Sequence, residues 1–477
     1  MVIPSERIGA DAGARAHDRL VETLRDLIRI PSINPPDPAG PELDAARFIA
    51  GALRDEGIPA TVHEPVPGRG SVTARLRGDG TGGAPLLLLS HLDVVPAPPD
   101  GWSHDPFGGE VADGYIYGRG AVDMKDLVAM ELEVMRLLAA EARAAGRDPA
   151  SDPVPGLTRD VLFASTADEE AGGMAGAAWL VAEHPELVQA AAAINEAGGV
   201  AVYVGGTRLY PIQVAEKGIA TYRLTVRGTW GHGSMPRADN ALVLAAEVAM
   251  RLAEPWPARL TDVTRRFLEG AIAATEATDP SIARLLRPLA EGDGHASATA
   301  LGGVCLPIYA RALDAMLRDT LSPNVMHAGV KFNIIPGQAV LELDCRRLPG
   351  TTEPEMEARI RERLGPELAA VTDIELLVAS DAYVAAWEDP AGLYPVLEAA
   401  IRAGDPDGVP LPVMAPFGTD AKHLQELGVQ TFGFSPLRQP PDETYLERWH
   451  GIDERVSLDG LRWGLPVLYD AVRRFCG

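Results

Sequence analysis

The sequence predicts an α/β protein with a mixed, largely parallel sheet and a smaller α+β domain inserted into the larger one. Three observations carry that expectation. Through residues 1–216 short apolar runs alternate with helical stretches, the pattern of βαβ units. After Lys217 the pattern becomes a self-contained βαββαβ order, and from residue 381 the first texture returns. With 477 residues, 46% of them apolar, the chain exceeds one ordinary core and can fill two.

A first helix is expected over 17–30, where Leu20, Leu24, Leu27 and Ile28 recur at helical spacing before Pro31 and Pro35-Pro36 stop the run. A second covers 45–53. Apolar runs at 72–76, 86–95, 161–165 and 191–195 read as strands, and 125–144 and 174–182 as helices. The glycines between 78 and 83 read as a surface turn, because no Lys-Ser/Thr pair follows and no helix opens there. Past Lys217, 221–226 is an expected strand, 240–254 a helix, and 330–335 with 339–345 a strand pair turning at Pro336-Gly337. A helix over 353–364 and a strand over 374–378 complete that order. Between its first helix and second strand lies 256–322, a charged, mostly helical insertion. The closing part carries a helix near 393–402, a strand near 431–435 and a helix near 458–475. The expected domains are therefore 1–216 with 381–477, and 217–380 between them.

A formal charge of −24 argues against nucleic-acid and anionic-membrane partners, whose phosphates would repel the chain. Cys305, Cys345 and Cys476 are odd in number and form no CxxC pair, which fits a reduced, cytoplasmic setting. Residues 1–16 lack the apolar core of a secretory signal, and no apolar stretch reaches the ~18 residues of a membrane span.

Five segments rich in acids and histidine follow one another: Ser90-His91-Leu92-Asp93, Gly120 to Asp126, Ala167-Asp168-Glu169-Glu170, Ile194-Asn195-Glu196, and Trp449 to Glu454. Together they offer two histidines and at least three carboxylates, the ligands a pair of zinc-like ions needs when one carboxylate bridges them. His91, Glu169, Glu170 and Glu196 fall at or just after the ends of apolar runs, where ligands collect in such sheets. His91 and Asp93 are two apart in an extended run and so share a side, Asp93 placed to steady a ligand imidazole or the catalytic glutamate. Asp123 could instead cap the helix that follows it, and the acids at 168–170 could be an exposed turn.

These ordered motifs resemble those of the M20 family of metallopeptidases, which includes aminoacylase, acetylornithine deacetylase, succinyl-diaminopimelate desuccinylase and carboxypeptidase G-type enzymes. The resemblance runs from Pro31-Ser32 to Glu454. It implies a catalytic domain with two divalent metal ions, zinc first and cobalt or manganese as alternatives, and a lid domain that also makes a homodimer. By that resemblance Asp123 is the bridging ligand, His91 and Glu196 complete one site, and Glu170 and His450 the other. Glu169 matches the general base. His232, in Gly231-His232-Gly233-Ser234, is similar to a histidine that reaches the partner subunit's active site. Arg346 matches an arginine that holds a substrate carboxylate, and Gly418-Thr419-Asp420 a substrate-backbone loop. The insertion resembles the extended lids of carboxypeptidase S-like and N-acyl-amino-acid hydrolases. The implied reaction is hydrolysis of an amide bond in a small N-acyl amino acid or short peptide. A dipeptidase or carboxypeptidase is the alternative within enzymes, and a metal-binding protein without activity the alternative outside them.

Overall fold

The computed structural model describes residues 4–34, 41–98, 100–292, 302 and 305–477. Among them, ten strands form one sheet. Its centre is parallel: Leu86–His91 lies between Val161–Thr166 and Ala192–Asn195, and Gln430–Gly433 runs parallel beyond the latter. All six residues of Leu86–His91 are buried, as expected of a strand covered on both faces. The flanks are antiparallel, with Ala60–Val66 and Arg69–Leu76 at one side. At the other side Thr207–Glu216 pairs antiparallel with Val202–Val204 and Tyr383–Val384, and parallel with Val409–Ala415. The α/β class with a mixed sheet, parallel at its centre, is the architecture expected.

Helices cover this sheet. Ala10–Arg29 begins before the expected 17 and ends at Arg29, two residues ahead of Pro31; Pro35-Pro36 lie outside the described residues. Lys125–Ala144 is buried nearly all round, even at Lys125, Asp126, Glu131 and Glu133. Two of these charges are answered locally, whereas the carboxylate oxygens of Asp126 and Glu131 have no hydrogen-bond partner among the described residues. The Lys125 ammonium donates to the Leu27 and Ile30 carbonyls at 2.9 Å, and Arg19 pairs with Glu133.

A second sheet of four antiparallel strands runs in the order Thr320–Ala328, Gln338–Arg347, Gly218–Arg227, Thr372–Ser380. Gly218–Arg227 alternates buried and half-buried residues, so one face meets the helices Ala241–Ala253 and Glu353–Ala370 around a separate core of Tyr222, Leu224, Leu341, Leu343, Met356 and Ile360. The order is βαββαβ, but its second strand is not 330–335. Thr320–Ala328 takes that place opposite Gln338–Arg347, while Ile334–Ile335 pairs with Gly231–His232. The expected turn at Pro336-Gly337 therefore does not join the paired strands.

The insertion also departs from expectation. Its described helices, Asp262–Glu276, Pro280–Ala290 and Pro307–Met316, bury Val263, Leu268, Leu286 and Leu313 in the core of the larger sheet rather than in the smaller one. Residues 293–301, 303 and 304 of it lie outside the described residues. Lys217, where the chain leaves the larger sheet, is buried and donates to the Ala315 and Arg318 carbonyls and the Thr320 hydroxyl at 2.9–3.1 Å. That tie anchors the end of the insertion to the start of the smaller sheet. Among the described residues no helix is long and apolar enough to cross a membrane.

Candidate metal centre

Three of the five segments leave the carboxyl ends of central strands, and the other two converge on them. His91 ends its strand, Glu196 follows the strand Ala192–Asn195, and Glu169 and Glu170 lie on a short turn after Val161–Thr166. Asp123 does not cap the next helix: Met124 holds the capping position, and no side chain caps it. His450 comes from the loop after Tyr445–Arg448 with φ 57°, in the left-handed region.

The Asp123 carboxylate lies between two imidazoles. Its Oδ1 is 3.3 Å from His91 Nε2, and its Oδ2 is 3.2 Å from His450 Nε2. His91 Nε2 is 3.7 Å from Glu196, and His450 Nε2 is 3.3 Å from Glu170. Two overlapping groups, His91 with Asp123 and Glu170, and His91 with Glu169 and Glu196, each bring three donor atoms within 4.8 Å of one another. His91 Nε2 is buried and has no hydrogen-bond partner, although it faces carboxylates. Converging acids and a buried, unpartnered imidazole nitrogen are the donor set divalent cations require, so the residues fit a metal pair.

The electrostatics agree. Burial raises Glu196 to about 7 despite His91, and burial with Glu196 raises Glu169 well above the usual carboxylate range. Burial opposes ionisation of Asp123 as well, but the neighbouring His450 and His91 imidazoles outweigh it and hold that carboxyl low. Hydrogen bonds to Asp123 and Glu170 raise His450 to about 10.

The surrounding residues fix the donors. The strand ends at His91, and Asp93 follows in the loop, where its carbonyl accepts from His91 Nδ1 at 3.0 Å, leaving Nε2 to face the acids. The Asp93 carboxylate accepts the amides of Glu169 and Glu170 at 3.1 and 3.0 Å and the Asn34 side chain at 2.7 Å. Glu454 accepts the amides of Val122 and Asp123 at 2.9 and 3.2 Å and pairs with Arg119 at 2.6 Å. Lys422 Nζ is 3.8 Å from Glu169. The roles of Glu454, Arg119, Asn34 and Lys422 escape sequence reading. All four lie in or within two residues of quoted motifs, but no spacing there signals the contact each makes.

The remaining candidates lie outside the cluster. Thr419 is buried, its hydroxyl accepting from Asn195 at 2.9 Å and its amide donating to Glu216 at 2.9 Å, so its side chain holds the loop instead of facing solvent. Gly418 is half-buried. A methyl placed there would meet Ile219 at 3.4 Å. Arg346 pairs across the smaller sheet with Ile219, so the two side chains share a face, and its guanidinium is taken by Asp344 at 2.7 Å. His232 is exposed, with Nδ1 accepting the Ser234 amide at 3.2 Å, and none of its hydrogen bonds or ion pairs reaches the cluster.

Such a cluster at the carboxyl ends of a parallel sheet fits a metal-dependent hydrolase. The chain belongs to peptidase family M20/M25/M40, whose sequence model matches residues 87–474. It is 25% identical over 482 residues to the N-fatty-acyl-amino acid synthase/hydrolase PM20D1 of Xenopus tropicalis, covering 96% of this chain and 86% of that one. Aminoacylase-1 of Sus scrofa is 32% identical over 280 residues, 55% of this chain and 64% of its own. In structure the chain is similar to the M20 family metallo-carboxypeptidase Sso-CP2 of Sulfolobus solfataricus, with a TM-score of 0.69 at 16% identity, covering 96% of this chain and 99% of that one.

Proposed function

We propose that this enzyme cleaves the amide bond of a small N-acyl amino acid or short peptide, using two metal ions gathered around Asp123. The observation that carries the reading is the division of that carboxylate, one oxygen toward each imidazole. His91 and Glu196 would complete one metal site, and Glu170 and His450 the other. Two bound divalent ions, zinc first and cobalt or manganese as alternatives, supply Lewis acidity and bring the pKa of a water toward about 7.

The chain's own residues do the rest. Glu169 takes the proton of the attacking water on its carboxylate and passes it to the departing amine nitrogen. Asp93 holds Glu169 and Glu170 through their amides, so base and ligand keep one spacing. Gly418, Thr419 and Arg346 would orient the substrate's backbone and carboxylate.

Residues 217–380 form the lid of this reading, and it pairs with a second copy. His232 touches no group of its own centre, and Trp230, Met235 and Phe332 nearby are exposed, Phe332 by 95%. Because Nδ1 accepts the Ser234 amide, a neutral His232 carries its hydrogen on Nε2 and can donate to an oxyanion in the partner subunit. The setting is cytoplasmic. Metal analysis of the purified protein, combined with a panel of N-acyl amino acids and dipeptides, tests the reading. Two equivalents of metal with no cleavage of any member would sink it, and cleavage of dipeptides alone would favour the dipeptidase.

A further inference from the structure

Beside the metal centre lies an apolar cavity of about 170 Å³. One wall is the larger sheet, through Leu209 and Val413. The opposite wall is the insertion, with Phe267, Leu286 and Leu313 contributed by its three described helices. At one end stand Ala197, Phe417 and Trp449, each one residue from Glu196, Gly418 or His450. The rings there are tightly set, with Trp449 meeting Phe417 and Tyr445 edge to face at 5.2 and 5.5 Å. No Asp, Glu, Lys, Arg or His lines the cavity among the described residues.

We infer that this cavity receives the acyl chain of the substrate, so that the enzyme prefers apolar acyl groups of about six carbons or more over acetyl. The inference rests on the amidohydrolase reading and specifies its acyl side. Four arguments support it. An apolar void lowers stability unless something fills it, which makes one built from three added helices costly without an occupant. Its walls continue the loops that carry Glu196, Gly418 and His450, so one end of a bound amide has this space beside it. Among the described residues the lining offers no carboxylate for the ammonium of a peptide's first residue, and burying a charge without a counter-charge is costly, whereas an acyl chain carries none. The volume exceeds the roughly 150 Å³ that accommodates benzene in an engineered apolar cavity, enough for six carbons.

The test uses the metal-loaded protein and one amino acid acylated with chains from acetyl to dodecanoyl. Transfer of methylenes into an apolar site predicts a rise in kcat/KM of about fourfold per methylene over the first members, and at least ~100-fold from acetyl to hexanoyl. Ala312→Trp, on the insertion wall, should compress the octanoyl-to-acetyl ratio at least ~10-fold. Leu286→Phe, on a different helix, should do the same if the first variant fails to fold. Octanoic acid and acetate, measured as ligands by calorimetry, should show the same preference and the same loss in the variants. Acetyl turnover with no dependence on chain length overturns the inference, as does a variant that lowers both substrates equally. If no acylated member is cleaved yet octanoic acid binds more tightly than acetate in a manner Ala312→Trp removes, the cavity stands and the amidohydrolase reading falls.

Discussion

Glu454→Ala should unfold more than a surface carboxylate could, and should loosen the metal centre without removing a ligand. The side chain is fully buried, pairs with Arg119 at 2.6 Å and accepts the amides of Val122 and Asp123. Burial raises its carboxyl to about 7, a rise Arg119 opposes, so the pair depends on its mutual geometry. Without it the Arg119 guanidinium, 1% exposed, keeps only the Pro96 carbonyl at 3.5 Å and the Trp102 ring at 5.4 Å. Breaking a buried pair from one side costs about 3–5 kcal/mol. Against a typical total of about 5–15 kcal/mol that is a large fraction. The denaturation midpoint should therefore fall sharply, and metal content should fall with it, since the same carboxylate anchors the backbone of Asp123. Glu454→Gln keeps an acceptor for the two amides and should lose less on both counts. Chemical denaturation and elemental analysis measure the two effects. An alanine variant within about 1 kcal/mol of the parent, with full metal occupancy, would refute the reasoning.

Glu169→Gln should keep the fold and both metals but lose at least ~10²-fold in kcat, the usual contribution of a positioned base; near-normal turnover would remove Glu169 from the mechanism. Asp123→Ala should release metal, and full occupancy by elemental analysis would count against a bridging role. His232→Ala and Glu169→Gln, each nearly inactive alone, should regain activity when their subunits exchange, because one site of each mixed dimer then has both groups intact; verified mixed dimers that stay dead exclude action in trans. In metal-free protein His450 has a pKa near 10 against an ordinary 6.5. A raised folded-state value stabilises fully below about 6.5 and is lost as pH climbs through about 10. The metal-free melting temperature should thus drop between pH 6.5 and 10, and His450→Gln should shrink that drop; an unchanged profile in the variant would show that the centre's other acids set it.

The strands and helices legible in the sequence are those whose burial is one-sided or continuous. Val161–Thr166 carries a nearly unbroken apolar signal because it is covered all round, and Lys125–Ala144 remains legible through its many apolar residues despite buried charges. Val409–Ala415 was not legible, since Pro410 and Pro412 cannot donate to a ladder and argue against a strand; it is tolerated because the strand pairs only with Thr207–Glu216. The error at 330–335 has a similar origin. Apolar Val330, Phe332 and Ile334 alternate as a strand would, yet these three side chains are exposed, so the pattern reports a surface and not a core. The insertion's helices were legible, but not their destination, because amphipathic helices record that they bury a face and not which sheet receives it.

The centre itself divides along the same line. His91, Asp123, Glu169, Glu170, Glu196 and His450 were readable because metal chemistry limits ligands to a few residue types and the α/β topology places them at strand ends. What holds them was not readable. Asp93 takes the amides of Glu169 and Glu170, Glu454 those of Val122 and Asp123, and both act through backbone groups every residue possesses. A carboxylate that binds amides has no preferred spacing from them, so only the fold reveals it. The consequence is physical as well as methodological. Four carboxylates and two imidazoles converge because buried neighbours fix the backbones that carry them. Substitution of Asp93 or Glu454 should therefore disturb the ligands they hold without removing one.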